Sequence, residues 1–138
     1  MSDVVIRKAV AGDVPDIVRL QRTCDLCRSD GVFFEDCEFA EYIKNGVLLI
    51  AENAGAAIGF IMGERLLNGG AICQLCGVEK PHRNGRVARD LLLEFKAALK
   101  EKGASWMLLY AIHGTGKLHE YMGSKVGDEA CKEVYYDF

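Results

Sequence analysis

No apolar run in the chain approaches the ~18 residues that a membrane-spanning helix needs, so the sequence predicts no contact with a bilayer interior. The opening stretch MSDVVIRKAV lacks an extended apolar segment, so no secretory signal is visible and a cytoplasmic, reducing location is expected. Positive charge is not in excess: 17 Lys and Arg stand against 20 Asp and Glu, a net charge of −3. That balance argues against a nucleic-acid partner, because phosphate neutralisation needs a basic surface. Internal repeats, low-complexity tracts and linkers are also missing, which leaves one domain over residues 1–138. Half of the residues are hydrophobic and 27% are charged, the balance of a globular domain with a real core.

What is present reads as an alternation of strands and helices. The β-branched run Val4 to Val10 predicts a strand. Val14, Ile17, Val18, Leu20 or Gln21, and Cys24 fall near helical spacing, with Gly12 or Asp13 to cap the start and Pro15 in the first turn. EDCEFAEYIKNG predicts a second helix ended by Asn45 and Gly46. Three strands then follow, near Val47 to Glu52, Ala57 to Leu66 and Ala71 to Val78, joined by NAG and NGG turns that tolerate positive φ. Val87, Leu91, Leu92, Phe95 and Leu99 form the apolar stripe of a long helix ended by Gly103. Ser105 to Ile112 predicts a buried strand, Gly116 to Gly123 a short helix, and Cys131 to Phe138 a closing strand. The order β-α-α-β-β-β-α-β-α-β predicts an α+β or three-layer α/β domain, a central sheet flanked by helices, whose meander is followed by a β-α-β unit.

Six cysteines are present: Cys24, Cys27, Cys37, Cys73, Cys76 and Cys131. The two C-x-x-C pairs raise a zinc site or a redox pair. The helix start expected after a redox C-x-x-C is absent, and strand alternation speaks against zinc at the second pair. Residues three apart on a regular strand point to opposite faces, so Cys73 and Cys76 are expected to diverge and no metal site is expected.

The stretch PHRNGRVARDLL follows the fourth strand and enters the long helix. Such a junction presents unpaired backbone N–H groups and the positive end of the helix dipole, which suits an anion. Gly85 permits a tight turn there, and Lys80, Arg83, Arg86 and Arg89 add local positive charge.

These segments together resemble the GNAT N-acetyltransferases, with a mixed, mostly antiparallel central sheet. IRKAVAGDVPDIVRLQ is similar to the first strand and helix of that family, and VLLIAENAGAAIGFIMGERL to its second and third strands. VEKPHRNGRVARDLL is similar to its acyl-CoA signature, and LHEYMGSKVGDEACKEVYYDF to its closing segment. The resemblance implies acetyl-CoA as co-substrate, with pyrophosphate on the backbone of Arg83, Asn84, Gly85, Arg86, Val87 and Ala88. It also implies pantetheine along the backbone of Cys76, Gly77 and Val78, where Gly77 would suit a bulge. The signature departs from the usual pattern: Arg86 stands at its first glycine, and Gly85 lies one place early.

Acetyl transfer needs a base for the amine and an acid for the leaving thiolate. The resemblance places His119 where family members often carry a tyrosine acid, with Tyr121 roughly 200° further round a helix. His113 lies at the end of a strand. Glu64 and Glu79 are the candidate bases. The acceptor would be a small-molecule or peptide amine, bound between the first two helices and the three-stranded meander. Two other readings stay open. One is a non-catalytic binding or assembly protein of the same fold, with a protein partner, as in a viral particle, or as a homodimer. The other is a zinc-stabilised interaction domain.

Overall fold

The computed structural model describes residues 3–26 and 31–109. The expected short helix, the closing strand and the end of the fifth strand lie outside the described residues, as do Cys27, His113, His119, Tyr121 and Cys131. The described elements are β1 (Val4–Lys8), α1 (Val14–Thr23), α2 (Asp36–Asn45), β2 (Val47–Asn53), β3 (Ala56–Arg65), β4 (Gly70–Val78), α3 (Arg86–Glu101) and β5 (Trp106–Leu109). They follow the order that the sequence predicts. No helix among the described residues is long and apolar enough to cross a membrane.

The sheet runs in the order β1-β2-β3-β4-β5. The first four strands pair antiparallel, and β4 pairs with β5 in parallel. Helices cover both faces, so the central strands are apolar on both sides. On one face Ile17, Leu20 and Phe39 of α1 and α2 pack on Leu48, Ile50, Phe60, Met62 and Leu75. On the other, the stripe Val87, Leu91, Leu92, Phe95 and Leu99 of α3 packs on Val47, Leu49, Ala51, Ile61, Ala71 and Cys73. The β2–β3 turn is tight, with Ala54 at φ 52° and Gly55 at φ 82°. Two consecutive positive φ values match the right-handed twist of a two-residue hairpin.

β1 ends at Lys8, two residues before the expected boundary, because the chain turns to make a carboxylate knot. Asp13 accepts 2.8 Å bonds from both Nη atoms of Arg7 and a 2.7 Å bond from the Val10 N–H. Arg7 Nε reaches Glu52 on β2 at 3.0 Å. Asp13 is therefore a tether of β1 to the start of α1, rather than a side-chain cap of that helix. The Arg7 hydrogen bonds hold its carboxyl below the usual 3.8. Inside the helical layer, Gln21 is fully buried and clamps the α1–α2 connection. Its amide accepts the Phe34 N–H at 2.7 Å and donates to the Phe34 carbonyl at 3.0 Å.

The β3–β4 pairing is irregular. Met62 faces Leu75 and Gly63 faces Cys73, so Gln74 is an extra residue on β4. This is a β-bulge, and it reverses the inside–outside phase of the strand. Gly63 makes room for it. A Cβ there would strike the Ile72 carbonyl and lie 2.7 Å from Phe95 Cζ. The bulge expected at Gly77 is thus found at Gln74. Gly77 instead leaves space for Leu26, which a Cβ at that position would overlap.

Two outcomes are expected. Gly63→Ala lowers stability by about 3 kcal/mol through overpacking at the bulge, read as a lower denaturation midpoint in urea. A depressed folded-state pKa stabilises above the unfolded value and is lost as pH falls through the folded one. The advantage in Tm of the native chain over Asp13→Asn is therefore present at neutral pH and shrinks below about pH 4, as thermal melts across that range would record.

Candidate functional site

The site is built where the ends of α1 and β4 and the start of α3 meet. β4 supplies a backbone edge. Glu79 N–H bonds the Ile58 carbonyl at 2.8 Å, which makes Glu79 and Ile58 a hydrogen-bonded pair. By alternation Gly77 also turns its main chain to β3, whereas Cys76 and Val78 turn theirs away from it. Within the described residues β5 pairs only with Gly70, Ala71, Ile72 and Cys73. The outward amides and carbonyls of Cys76 and Val78 are therefore the usable edge, and the Gly77 main chain is not. The Val78 carbonyl already accepts Arg83 Nε at 2.7 Å and the Cys24 thiol at 3.5 Å.

The chain then makes a 3-10 turn over Lys80–His82, containing Pro81, and reaches α3 through Arg83, Asn84 and Gly85. Gly85 is the residue before the helix and adopts φ 85°, a left-handed conformation that favours glycine. Asn84 Oδ1 accepts the Arg86 N–H at 2.9 Å. The N–H groups of Gly85, Val87 and Ala88 find no acceptor among the described residues. A Cβ at Gly85 would meet nothing within 4 Å, so the space above the loop is open. Arg86 is exposed at the first helical position, Arg89 pairs loosely with Asp90 at 3.3 Å, and Lys80 is exposed. Free amides, a helix N-terminus and nearby cations can hold a phosphate-type anion.

The end of α1 closes the other side. Asp25 takes φ 53°, and the Leu26 N–H returns to the Gln21 carbonyl at 2.8 Å. This left-handed stop turns the chain onto β4, so that Leu26 and Cys24 lie over Gly77. Part of the CDLC motif is thus a helix ending. An open pocket of about 280 Å³ beside it is lined by Thr23, Glu79, Lys80 and Pro81.

The two candidate carboxylates differ in their surroundings. Glu79 is bound by Arg19 Nη1 at 2.6 Å, and Arg19 also donates to the Ala57 carbonyl at 3.0 Å. Among the described residues Glu64 receives a single long contact, 3.5 Å from the Tyr42 hydroxyl. Burial and then the Glu64 charge push the Tyr42 phenol up to about 12. Tyr42 and Gln74 are functional-site candidates that the sequence did not single out. Neither belongs to a motif, and only the packing of α2 on the sheet brings them together.

No protein-family model matches the chain, and no curated protein does. Solved structures do match it. An aminoglycoside N-acetyltransferase in complex with CoA superposes with a TM-score of 0.76 at 19% identity, over 100% of this chain and 96% of that one. A glucosamine-6-phosphate N-acetyltransferase from Arabidopsis thaliana gives 0.71 at 20% identity, over 97% and 99%. An aminoglycoside acetyltransferase from an uncultured soil metagenomic sample, in complex with sisomicin, gives 0.72 at 12% identity, over 99% and 97%. The chain has the GNAT fold. At these identities the likeness is one of architecture, and activity is a separate matter.

Within that fold the second cysteine pair is arranged otherwise than strand alternation predicts. The extra residue Gln74 restores Cys76 to the face of Cys73, and both lie against the α3 side of the core. The period-two argument fails because it assumes an unbroken ladder. Among the described residues no group of three or more His, Cys, Asp or Glu side chains comes together to hold a metal. Cys24, Cys37, Cys73 and Cys76 are all free. Burial raises the Cys73 thiol well above its ordinary value and pushes Cys76 up to about 12. Because the thiolate is the reactive form, iodoacetamide at pH 8 is expected to label exposed Cys37 before Cys73 and Cys76. Cys73 and Cys76 should stay unlabelled until the chain unfolds, as peptide mass spectrometry would show.

Proposed function

We propose that this protein is an acetyl-CoA-dependent N-acetyltransferase acting on an amine by direct attack in a ternary complex. The observation that carries the proposal is the trio of amides at Gly85, Val87 and Ala88 that have no acceptor among the described residues, set at the start of the helix that follows β4, whose edge beyond Cys73 is unpaired among the same residues. Those amides would receive the pyrophosphate oxygens, with Arg86 and Lys80 adding charge from the exposed rim. The outward N–H and C=O of Cys76 and the N–H of Val78 would receive the pantetheine amides. In the reaction the acceptor ammonium gives up a proton, the freed amine nitrogen bonds to the acetyl carbon, and that nitrogen then loses a second proton to become the amide. The C–S bond breaks with its electron pair on sulfur, and the sulfur takes up a proton. Holding amine and thioester together accounts for much of the rate in such transfers. His119 and Tyr121 stay the proposed proton donors to sulfur. A reducing, cytoplasmic location is part of this proposal.

The test is isothermal titration with acetyl-CoA. The native chain is expected to bind at micromolar Kd and to raise its Tm with ligand. Gly85→Val, which forces a β-branched residue into a left-handed conformation, should weaken binding about tenfold or more while the fold persists. No binding by the native chain would remove the enzyme reading and favour a GNAT-fold binding or assembly protein. The occupied Val78 carbonyl is the observation that speaks for that alternative.

A further inference from the structure

The helical face of the sheet is not covered to its β5 end by the described residues. Ala71, Cys73, Met107 and Leu109 pack towards α3. Their strand neighbours therefore face the α1–α2 side. Glu64 stands opposite Ile72, Ile72 opposite Leu108, and Gly70 opposite Trp106. A Cβ at Gly70 would run into the Trp106 indole, so the ring lies directly across that glycine. Trp106 and Leu108 are 49% and 44% exposed, an unusual outlay of apolar surface on two alternate residues of one strand.

One polar corner borders this platform. Tyr42 reaches Glu64 at 3.5 Å, and the Gln74 side chain lies beside its hydroxyl. Glu38 adds further negative potential at Tyr42. The carboxylates of Asp13, Glu52 and Glu79 each have an arginine within 3.0 Å. No Lys or Arg pairs with Glu64 among the described residues, and the guanidinium of adjacent Arg65 lies beside Gly103 at the end of α3.

We infer that this surface recognises a primary ammonium carried on an apolar, aromatic stem, and that such an amine is the acetyl acceptor. The inference rests on the acetyl-transfer reading above. Glu64 takes the ammonium, and Tyr42 and Gln74 offer further oxygen acceptors. The stem lies over Ile72 towards Leu108 and Trp106. Two strand spacings separate Glu64 from Leu108, about 10 Å, which an arylalkylamine spans. An anionic or polyhydroxylated stem would meet apolar side chains and the Glu64 charge.

Trp106 is the only tryptophan in the chain, so its emission reports on this face. The experiment titrates the full chain with 2-phenylethylamine under excitation selective for tryptophan. A saturable change is expected in the native chain, at least tenfold weaker in Glu64→Gln and in Ile72→Lys, with phenylacetate silent. Circular dichroism establishes that both variants fold. Titration with acetyl-CoA runs alongside and should give the same Kd in Glu64→Gln as in the native chain. Thiol release from acetyl-CoA should then show kcat/KM for 2-phenylethylamine at least tenfold above that for glucosamine 6-phosphate. Acetyl-CoA binding without an amine response, or amine binding indifferent to Glu64→Gln, overturns the inference and leaves the cofactor reading standing. An amine response without acetyl-CoA binding overturns the cofactor reading, and with it the role of the amine as acceptor.

Discussion

Gly63 has no side chain to set against Ile72 and Phe95, and β4 uses that room to carry Gln74 as an extra residue. Much of the site depends on this one close approach of two strands. Before the bulge, Ala71 and Cys73 face α3; after it, Cys76 and Val78 do. Between them Gln74 is freed from the ladder and its side chain meets Tyr42. A regular strand would carry Leu75 to α3 and Cys76 to the helical layer, exchanging an apolar contact for a misfit on both faces.

The two helix endings beside β4 use the same device from opposite directions. Asp25 and Gly85 both take left-handed φ, one closing α1 and the other opening α3. The first folds Leu26 down onto Gly77, where the lack of a Cβ allows it to fit. The second leaves three amides pointing outward. One ending therefore consumes hydrogen-bonding and packing capacity at β4, and the other leaves it available to a ligand.

Charge is distributed with similar selectivity. Arg7 and Arg19 are each spent on carboxylates that join elements distant in sequence, β1 with β2 and α1 with β4. Such partly exposed pairs add little net stability, but they orient the segments they connect. Glu64 is left with the weak Tyr42 contact at the border of an apolar platform. No cation among the described residues pairs with Glu64, so within them its field is directed at whatever approaches.

The order of elements, the apolar stripe of α3 and the strand–loop–helix junction at Arg83 to Ala88 were legible in the sequence, because each follows from local spacing. Gln21 was legible as a position on the buried stripe, though not as the clamp of Phe34. The relation of Cys73 to Cys76 was misread, because a repeat of two holds only while every residue has one partner. Tyr42, Glu64 and Gln74 are far apart in the chain, and nothing in any one segment marks them as neighbours. By itself the sequence determined which segments become helices and strands, where the chain turns, and which loop can present free amides. Those choices depend on backbone propensity and on apolar periodicity over a few residues. The tertiary structure alone decided the register of β4 on β3, the facing of the thiols and the meeting of Glu64 with Tyr42. The physical reason is steric and long-range: they depend on whether a side chain at one strand position collides with a partner far along the chain.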